Sequence, residues 1–235
     1  MEITIPWTND STAYARQFTI NPKGQFESEW STARATPKAG ILTGEFLPGT
    51  LFRFQENGAD TQFLLLKHGY PTASTEKSLV IRKDLTGKVT WGNMNTWLNN
   101  TYLPRLSDEV KTLIEPVDIP HNGSTVNLKV FSLSGSECFG EHVSYVTEGE
   151  QIPYFDSNEK RIAYYSGTAY NYILRTRHAT NGEYCIDVYK SGSQGIEYRV
   201  NANYVRPAFT IPSDTLFNHE PNTDGSYSLY TGGTA

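Results

Sequence analysis

Short runs of β-branched and aromatic residues, separated by turns that contain glycine or asparagine, recur from residue 50 to residue 211. This pattern restricts the chain to a β-rich fold. The runs 50–54 and 61–67 flank Glu56-Asn57-Gly58, a turn signal that predicts a β-hairpin. The further predicted strands are 78–82, 127–133, 170–176, 183–190, 195–200 and 204–211.

Three helical signals interrupt these strands. Residues 94–102 have apolar side chains at helical spacing, and 108–114 follows Ser107, a good N-cap, with acidic residues in the first turn. Ser134 and Glu137 fit a capping box, in which hydroxyl and carboxylate satisfy each other's free backbone donors. The sequence therefore predicts an α+β protein with antiparallel sheets and a few short helices.

The two ends differ in composition from the middle. Residues 1–40 contain two short β-like runs but too little periodic apolar surface to close a core, which predicts an extended arm. The aromatic residues of the arm need burial on the main domain or on a neighbouring subunit, so we expect docking in an assembly and a homo-oligomer. Residues 41–216 are the predicted main domain, and the polar segment 217–235 is a predicted extended tail.

Charge and cysteine usage exclude several classes of function. The net charge of −5 comes without any run of Lys or Arg, so nucleic-acid binding is not expected. The N-terminus lacks the pattern of a secretory leader, and the strongest apolar stretch, residues 63–66, is far too short for membrane insertion. Cys138 and Cys185 match no metal or redox spacing. We interpret them as free, buried thiols, with a disulfide as the alternative.

The sequence also lacks the common catalytic motifs. The chain contains no Gly-x-Ser-x-Gly, no His-Glu-x-x-His, no phosphate-binding glycine loop and no calcium loop, and its five histidines are widely spaced. We therefore predict no enzyme, no metal and no cofactor. Paired carboxylates of a glycosidase would be invisible in sequence, so an enzyme acting on cell-wall polymer stays an alternative.

Six ordered motifs resemble a known family. They are Thr96-Trp97-Leu98-Asn99-Asn100, Val117-Asp118-Ile119-Pro120, Phe131-Ser132-Leu133-Ser134-Gly135-Ser136-Glu137, Lys160-Arg161-Ile162-Ala163-Tyr164, Tyr172-Ile173-Leu174-Arg175-Thr176 and Tyr204-Val205-Arg206-Pro207-Ala208-Phe209. The family is a domain of undefined function that is frequent in phages and mobile elements of Firmicutes. The resemblance runs from about residue 64 to residue 216.

The resemblance also has implications for fold and for structural residues. It implies a C-type-lectin-like fold, similar to that of formylglycine-generating enzymes and of phage receptor-binding proteins, in which a late arginine locks the core. Arg175 and Arg206 lie among apolar neighbours and are interpreted as buried guanidinium groups held by a carboxylate and backbone carbonyls. Ligand contact is the alternative. Glu137 is the candidate carboxylate, and Trp97 is expected to pack in the core.

The late strands and turns are where lectin-like relatives carry their variable surface. The tentative ligand residues there are Tyr184, Asp187, Tyr189, Ser193, Gln194, Tyr198, Asn201 and Asn203. Aromatic rings beside Asn and Ser suit a sugar or a protein epitope, although an ordinary exposed sheet is the alternative.

The expected function follows from this resemblance. We expect a bacteriophage virion structural protein, of the tail, the baseplate or the capsid decoration. Other virion proteins are its expected partners, and its lectin-like module is expected to contact a host surface glycan or protein. A free carbohydrate-binding protein of bacterial or prophage origin is the alternative.

Overall fold

A computed structural model describes the backbone of residues 15–20 and 26–31 and the complete residues 40–230. The chain divides into two compact units, Met1–Ala39 and Gly40–Ala235. In the first unit, β1 (Ala15–Ile20) pairs antiparallel with β2 (Phe26–Ser31). The rest of the predicted arm, including its first β-like run, lies outside the described residues.

The described part of the second unit consists of short strands and shorter helices. The strands are β3 (Ile41–Leu42), β4 (Leu51–Glu56), β5 (Ala59–His68), β6 (Lys77–Arg82), β7 (Thr86–Val89), β8 (Val117–His121), β9 (Ser124–Leu128), β10 (Tyr164–Tyr165), β11 (Thr168–Ala169), β12 (Tyr172–Arg177), β13 (Tyr184–Val188), β14 (Gln194–Tyr198), β15 (Asn203–Val205), β16 (Ala208–Pro212), β17 (Leu216–Phe217) and β18 (Tyr227–Ser228). The α-helices are α1 (Met94–Trp97), α2 (Asp108–Leu113), α3 (Gly135–Phe139) and α4 (Asn158–Arg161). Single 3₁₀ turns cover Thr43–Glu45, Trp91–Asn93 and Leu103–Arg105, and a π-helical turn covers Leu98–Tyr102.

Two five-stranded sheets organise this unit. The first sheet has the order β16-β6-β5-β4-β18, and the second has the order β14-β13-β12-β15-β7. Neighbouring strands are antiparallel except for β4 with β18 and β12 with β15. Antiparallel ribbons join β3 with β17, β8 with β9 and β10 with β11. This arrangement confirms the predicted α+β class.

The central strands of the two sheets are buried on both faces, because two hydrophobic clusters lie on opposite sides of them. In β5, Phe63 and Leu65 belong to one cluster while Leu64 and Leu66 belong to the other. A strand buried on both faces reads as a continuous apolar run, which explains the unbroken sequence at 63–66. In β13, Cys185 belongs to the first cluster and Ile186 to the second. β13 therefore has a hydrophobic cluster on each face rather than one core face and one solvent face.

The helical predictions agree with the structure. Ser107 caps α2 by accepting a hydrogen bond from the Val110 backbone N–H at 3.3 Å. The capping box of Ser134 and Glu137 is present at the start of α3. The segment 94–102 is helical throughout, with its second half in the π-helical turn. No helix in the described part of the chain is long and apolar enough to cross a membrane.

The strand predicted at 127–133 is wrong in its bounds. The strand is β9, which ends at Leu128 and pairs with β8, a strand that contains Pro120 and was not predicted. Proline is tolerated here because the two strands form an isolated ribbon rather than the middle of a sheet. In the remainder of the predicted strand, residues 129–133, only Phe131 pairs with another strand, through an isolated bridge to Ala208.

The strand predicted at 204–211 divides between the two sheets. β15 belongs to the second sheet and β16 to the first, and Arg206-Pro207 lies between them. Proline has no N–H to donate to a ladder, so the chain leaves one sheet at this point and enters the other.

The tail predicted from residue 217 instead packs on the domain as far as it is described, to residue 230. Phe217 is fully buried, and its ring stacks on Phe52 with centroids 4.1 Å apart. β18 continues the first sheet beside β4. Burial of these rings outweighs the polar composition of the segment, which had favoured an extended peptide.

The two cysteines are free and buried, as predicted. Burial raises the pKa of both thiols to about 12. They therefore behave as small apolar side chains.

Candidate functional site

A buried ion pair joins α3 to β12. Arg175 Nη1 donates to Glu137 Oε2 at 2.6 Å and Nη2 donates to Oε1 at 2.9 Å, with side-chain exposures of 1% and 3%. The capping box fixes the carboxylate, since Glu137 Oε2 also accepts from the Ser134 backbone N–H at 2.8 Å. Tyr70 donates its hydroxyl to Glu137 Oε1 at 2.7 Å. The Glu137 carboxylate thus accepts hydrogen bonds from three separate parts of the chain.

Backbone carbonyls satisfy the rest of the Arg175 guanidinium. Pro120, Ser132 and Glu148 accept from it at 3.0, 3.0 and 3.3 Å. Burial, together with the charge of Glu137, raises the pKa of Tyr70 well above its usual range, so the phenol stays a donor. A guanidinium with this many partners leaves little donor capacity for a ligand.

Arg206 is held in a different way from the one predicted. Its Nε donates to the Arg82 carbonyl at 2.9 Å and its Nη2 to the Lys83 carbonyl at 3.1 Å, and the guanidinium carbon lies 5.8 Å from the Tyr172 ring centroid. Among residues 40–230 no carboxylate lies within ion-pair distance of Arg206, so the expected carboxylate partner is wrong. Carbonyl dipoles and a ring face stabilise the charge instead. These contacts tie the break between β15 and β16 to the end of β6.

Trp97 lies partly buried at the edge of the first hydrophobic cluster. Its ring stacks on Tyr102 with centroids 6.1 Å apart, and the Arg105 guanidinium carbon lies 5.0 Å from its centroid. Gly87 approaches the ring so closely that a Cβ there would lie 2.5 Å from it.

The tentative ligand residues are spread along the β13–β14 hairpin and β15. They are Tyr184, Asp187, Tyr189, Ser193, Gln194, Tyr198, Asn201 and Asn203. Tyr184 and Tyr198 stand opposite each other at the open end, with ring centroids 4.4 Å apart. Tyr189 and Ser193 lie at the turn, joined by a 2.9 Å backbone hydrogen bond. Asn203 in β15 is paired directly with Val89 in the neighbouring strand β7. The set therefore forms separate groups rather than one site.

Asp187 is only 1% exposed, so the expectation that it lies on the surface is wrong. Asn171 donates to its Oδ2 at 3.4 Å, while its Oδ1 is buried without a partner among the described residues. Burial, followed by repulsion from Glu197, raises the pKa of Asp187 to about 7. Opposite it, Gly195 provides the space that both Asp187 and the Tyr189 ring occupy.

Three other tyrosines form a cluster that we call the tyrosine surface: the exposed Tyr165 and Tyr170 and the partly buried Tyr204. The ring centroids of Tyr165 and Tyr170 lie 4.8 and 4.9 Å from that of Tyr204. Tyr165 is 43% exposed and Tyr170 is 40% exposed. Lys88 stands directly opposite Tyr204 in the sheet and places its ammonium 4.7 Å from that ring centroid.

Two strand pairings bring the tyrosine surface together. The ribbon of β10 and β11 carries Tyr165 next to the turn residues Ser166 and Gly167, which both have positive φ as a tight hairpin turn requires. Tyr204 lies between β12 and β7 in the second sheet. None of the three tyrosines was predicted from the sequence to lie on the ligand surface. The hairpin turn at Tyr165-Ser166-Gly167 could have been predicted from the sequence. The contact between Tyr204 and Tyr165 could not.

This surface has the chemistry of a contact site. Tyrosine rings offer wide apolar faces at low entropic cost, and each hydroxyl can donate and accept a hydrogen bond. Lys88 adds a positive charge, and among the described residues it makes no ion pair. Such an arrangement can stack against sugar rings or against flat parts of a protein.

The family comparison gives one positive result. A family model described as a domain of unknown function, DUF6273, matches residues 62–213. A search of curated proteins and a search of solved structures found no match. The match confirms the resemblance to a domain of undefined function. Because it covers well over half of the 235 residues, the chain belongs to the DUF6273 family.

Proposed function

We propose that this protein is a structural component of a bacteriophage virion and that its domain, residues 41–216, contacts the host cell surface through the tyrosine surface. The proposal for the particle is supported by the six ordered motifs and the phage setting that they imply. The proposal for surface contact is carried by one observation, the cluster in which the exposed rings of Tyr165 and Tyr170 pack on the partly buried Tyr204, with Lys88 above it.

The exposure of these rings supports a contact role. Tyr165 and Tyr170 each leave about two fifths of their surface in water although both touch another ring. Exposed aromatic side chains contribute less to folding stability than buried ones. A contiguous patch of them marks a binding surface more often than single exposed side chains do. We propose a C-type-lectin-like role for the module, with a host surface glycan as the preferred ligand and a surface protein as the other.

The assembly part of the proposal concerns residues 1–40. We propose that this arm docks onto other virion proteins or onto a second copy of the chain. Purified particles from the phage or prophage that encodes the gene should contain the protein, detected by mass spectrometry and by immunogold labelling. Particles that never contain it would overturn the virion role, and the remaining proposal would be a free carbohydrate-binding protein.

The contact part has a separate test with a matched control. Full-length protein should sediment with intact host cell walls, and the double variant Tyr165→Ala/Tyr170→Ala should lose about thirtyfold in affinity, since stacked rings contribute roughly 1 kcal/mol each. Tyr164→Ala is the control, because Tyr164 is 45% exposed on the same ribbon but touches neither Tyr170 nor Tyr204. Equal binding of both variants would refute the role of the tyrosine surface.

A further inference from the structure

A cleft of about 660 Å³ opens between the β13–β14 hairpin and the loop that follows β7. Its lining combines an aromatic ring, an arginine, a carboxylate and a hydroxyl, from Tyr198, Arg199, Glu183 and Thr90. Val200, which is 80% exposed, forms an apolar part of the rim. Tyr198 was predicted from the sequence as a ligand residue, and Arg199 was not.

The Arg199 guanidinium is held against Trp91 before any ligand arrives. Its guanidinium carbon lies 4.1 Å from the ring centroid of Trp91, and its Nη1 donates to the Gly182 carbonyl at 2.7 Å. Trp91 is fixed in turn, since its Nε1 donates to the Arg175 carbonyl at 3.1 Å. A guanidinium held between a ring face and a carbonyl loses little side-chain entropy on binding.

The same guanidinium has donors to spare. Among the described residues, Arg199 Nε is buried without a hydrogen-bond partner and Nη2 donates to no acceptor. Nε and Nη2 form the edge that binds a carboxylate through two parallel hydrogen bonds. Because water does not reach Nε, a small rotation of the guanidinium over Trp91 must accompany the second bond.

We propose that this cleft binds a sugar acid, with the ligand carboxylate on Arg199 and the sugar ring on the face of Tyr198. Tyr198 is 46% exposed and is supported from behind by Tyr184, with ring centroids 4.4 Å apart. Glu183 accepts hydrogen bonds from sugar hydroxyls, and Thr90 can donate or accept. The Glu183 carboxylate repels any anion, but a sugar acid can offset part of that repulsion by donating hydroxyl hydrogen bonds to it, which a simple anion cannot do.

This site goes beyond the proposed function and is independent of the tyrosine surface, since the two share no residue. Calorimetric titration of full-length protein with trigalacturonic acid and with its methyl ester tests it directly. The acid should bind and the ester should bind at least about tenfold more weakly, because the ester cannot form the charged pair. Tyr165→Ala/Tyr170→Ala should bind the acid as the wild type does, which separates this test from that of the proposed function.

Two variants test the roles of the side chains. Arg199→Lys keeps the charge but loses the planar fork and should weaken acid binding about tenfold. Arg105→Lys, which alters an arginine stacked on a different tryptophan, should leave binding unchanged. Glu183→Gln, at an exposed position, should tighten acid binding about threefold by removing repulsion and should not change binding of the ester.

Three results would overturn the proposal. They are equal binding of acid and ester, no binding of the acid by the wild type, and tight binding of a dipeptide with a free carboxylate in place of the sugar acid. If Arg199→Lys fails to fold, Glu183→Gln provides the test. Tighter binding of the acid by this variant supports the proposal, and unchanged binding refutes it.

Discussion

The buried pair of Glu137 and Arg175 allows a quantitative prediction about stability. Replacing Glu137 by Gln should lower the free energy of unfolding by about 3 kcal/mol, because the guanidinium stays buried without its opposite charge. Losses of about 3 to 5 kcal/mol are typical when one partner of a buried pair is removed. We expect the lower end, since the carbonyls of Pro120, Ser132 and Glu148 still accept from Arg175.

The double variant should be less damaging than the two single changes suggest. Arg175→Met leaves the Glu137 carboxylate with the Tyr70 hydroxyl and the Ser134 N–H as its donors, so this change should also cost about 3 kcal/mol. Glu137→Gln/Arg175→Met leaves no unpaired charge, so the sum of the single effects should exceed the double effect by about 2 kcal/mol.

Urea unfolding followed by tryptophan fluorescence measures all three variants. Glu115→Gln is the control, since Glu115 pairs with Lys77 at a similar 2.9 Å but is 65% exposed. An exposed pair contributes about 0 to 1 kcal/mol, so the control should barely shift the urea midpoint. If Glu137→Gln costs no more than Glu115→Gln, or if the single effects simply add, the argument from burial is refuted.

Three further predictions concern other parts of the domain. Asp187 has a folded-state pKa of about 7 against an ordinary 3.8, so the folded state retains a proton that the unfolded chain has lost. The wild type should therefore lose up to about 4 kcal/mol of stability relative to Asp187→Asn between pH 4 and pH 8, measured by urea unfolding; parallel pH profiles would contradict this. Gly87→Ala should cost about 2 kcal/mol by calorimetry, because φ is +31° and a Cβ would meet the Trp97 ring; an unchanged melting temperature would show that the ring moves freely. A thiol reagent should label Cys138 and Cys185 only after unfolding, since both are buried with pKa values of about 12; rapid labelling of the folded protein would contradict that burial.

Features fixed by neighbouring residues were predictable from the sequence. The hairpin at Asn57-Gly58, the cap at Ser107 and the capping box of Ser134 and Glu137 all occur where the sequence placed them. Each depends on hydrogen bonds or backbone angles within about four residues. The partner of Glu137 is less local, because Arg175 lies 38 residues away, and naming it as a candidate depended on the cost of an unpaired buried charge.

Features that depend on strand order were not predictable in the same way. Alternation along a strand gives the side on which a residue lies, but it does not show whether that side meets solvent or a second core, and Asp187 was misplaced for this reason. Nothing in the sequence near Tyr204 indicates that Lys88 is its direct neighbour, 116 positions earlier, because β15 enters the sheet between β12 and β7.

The break at Arg206-Pro207 links a feature set by neighbouring residues to one set by strand order. Proline ends β15 after three residues, and Arg206 anchors the break to the carbonyls at the end of β6. Because that anchor fixes where β15 lies, it also fixes Tyr204 two residues earlier. The tyrosine surface therefore depends on a buried arginine, and Arg206→Met should weaken the proposed host-wall binding as well as stability. If Arg206→Met lowered stability but left binding by the folded fraction unchanged, the arginine would only hold the fold together and would not position the surface.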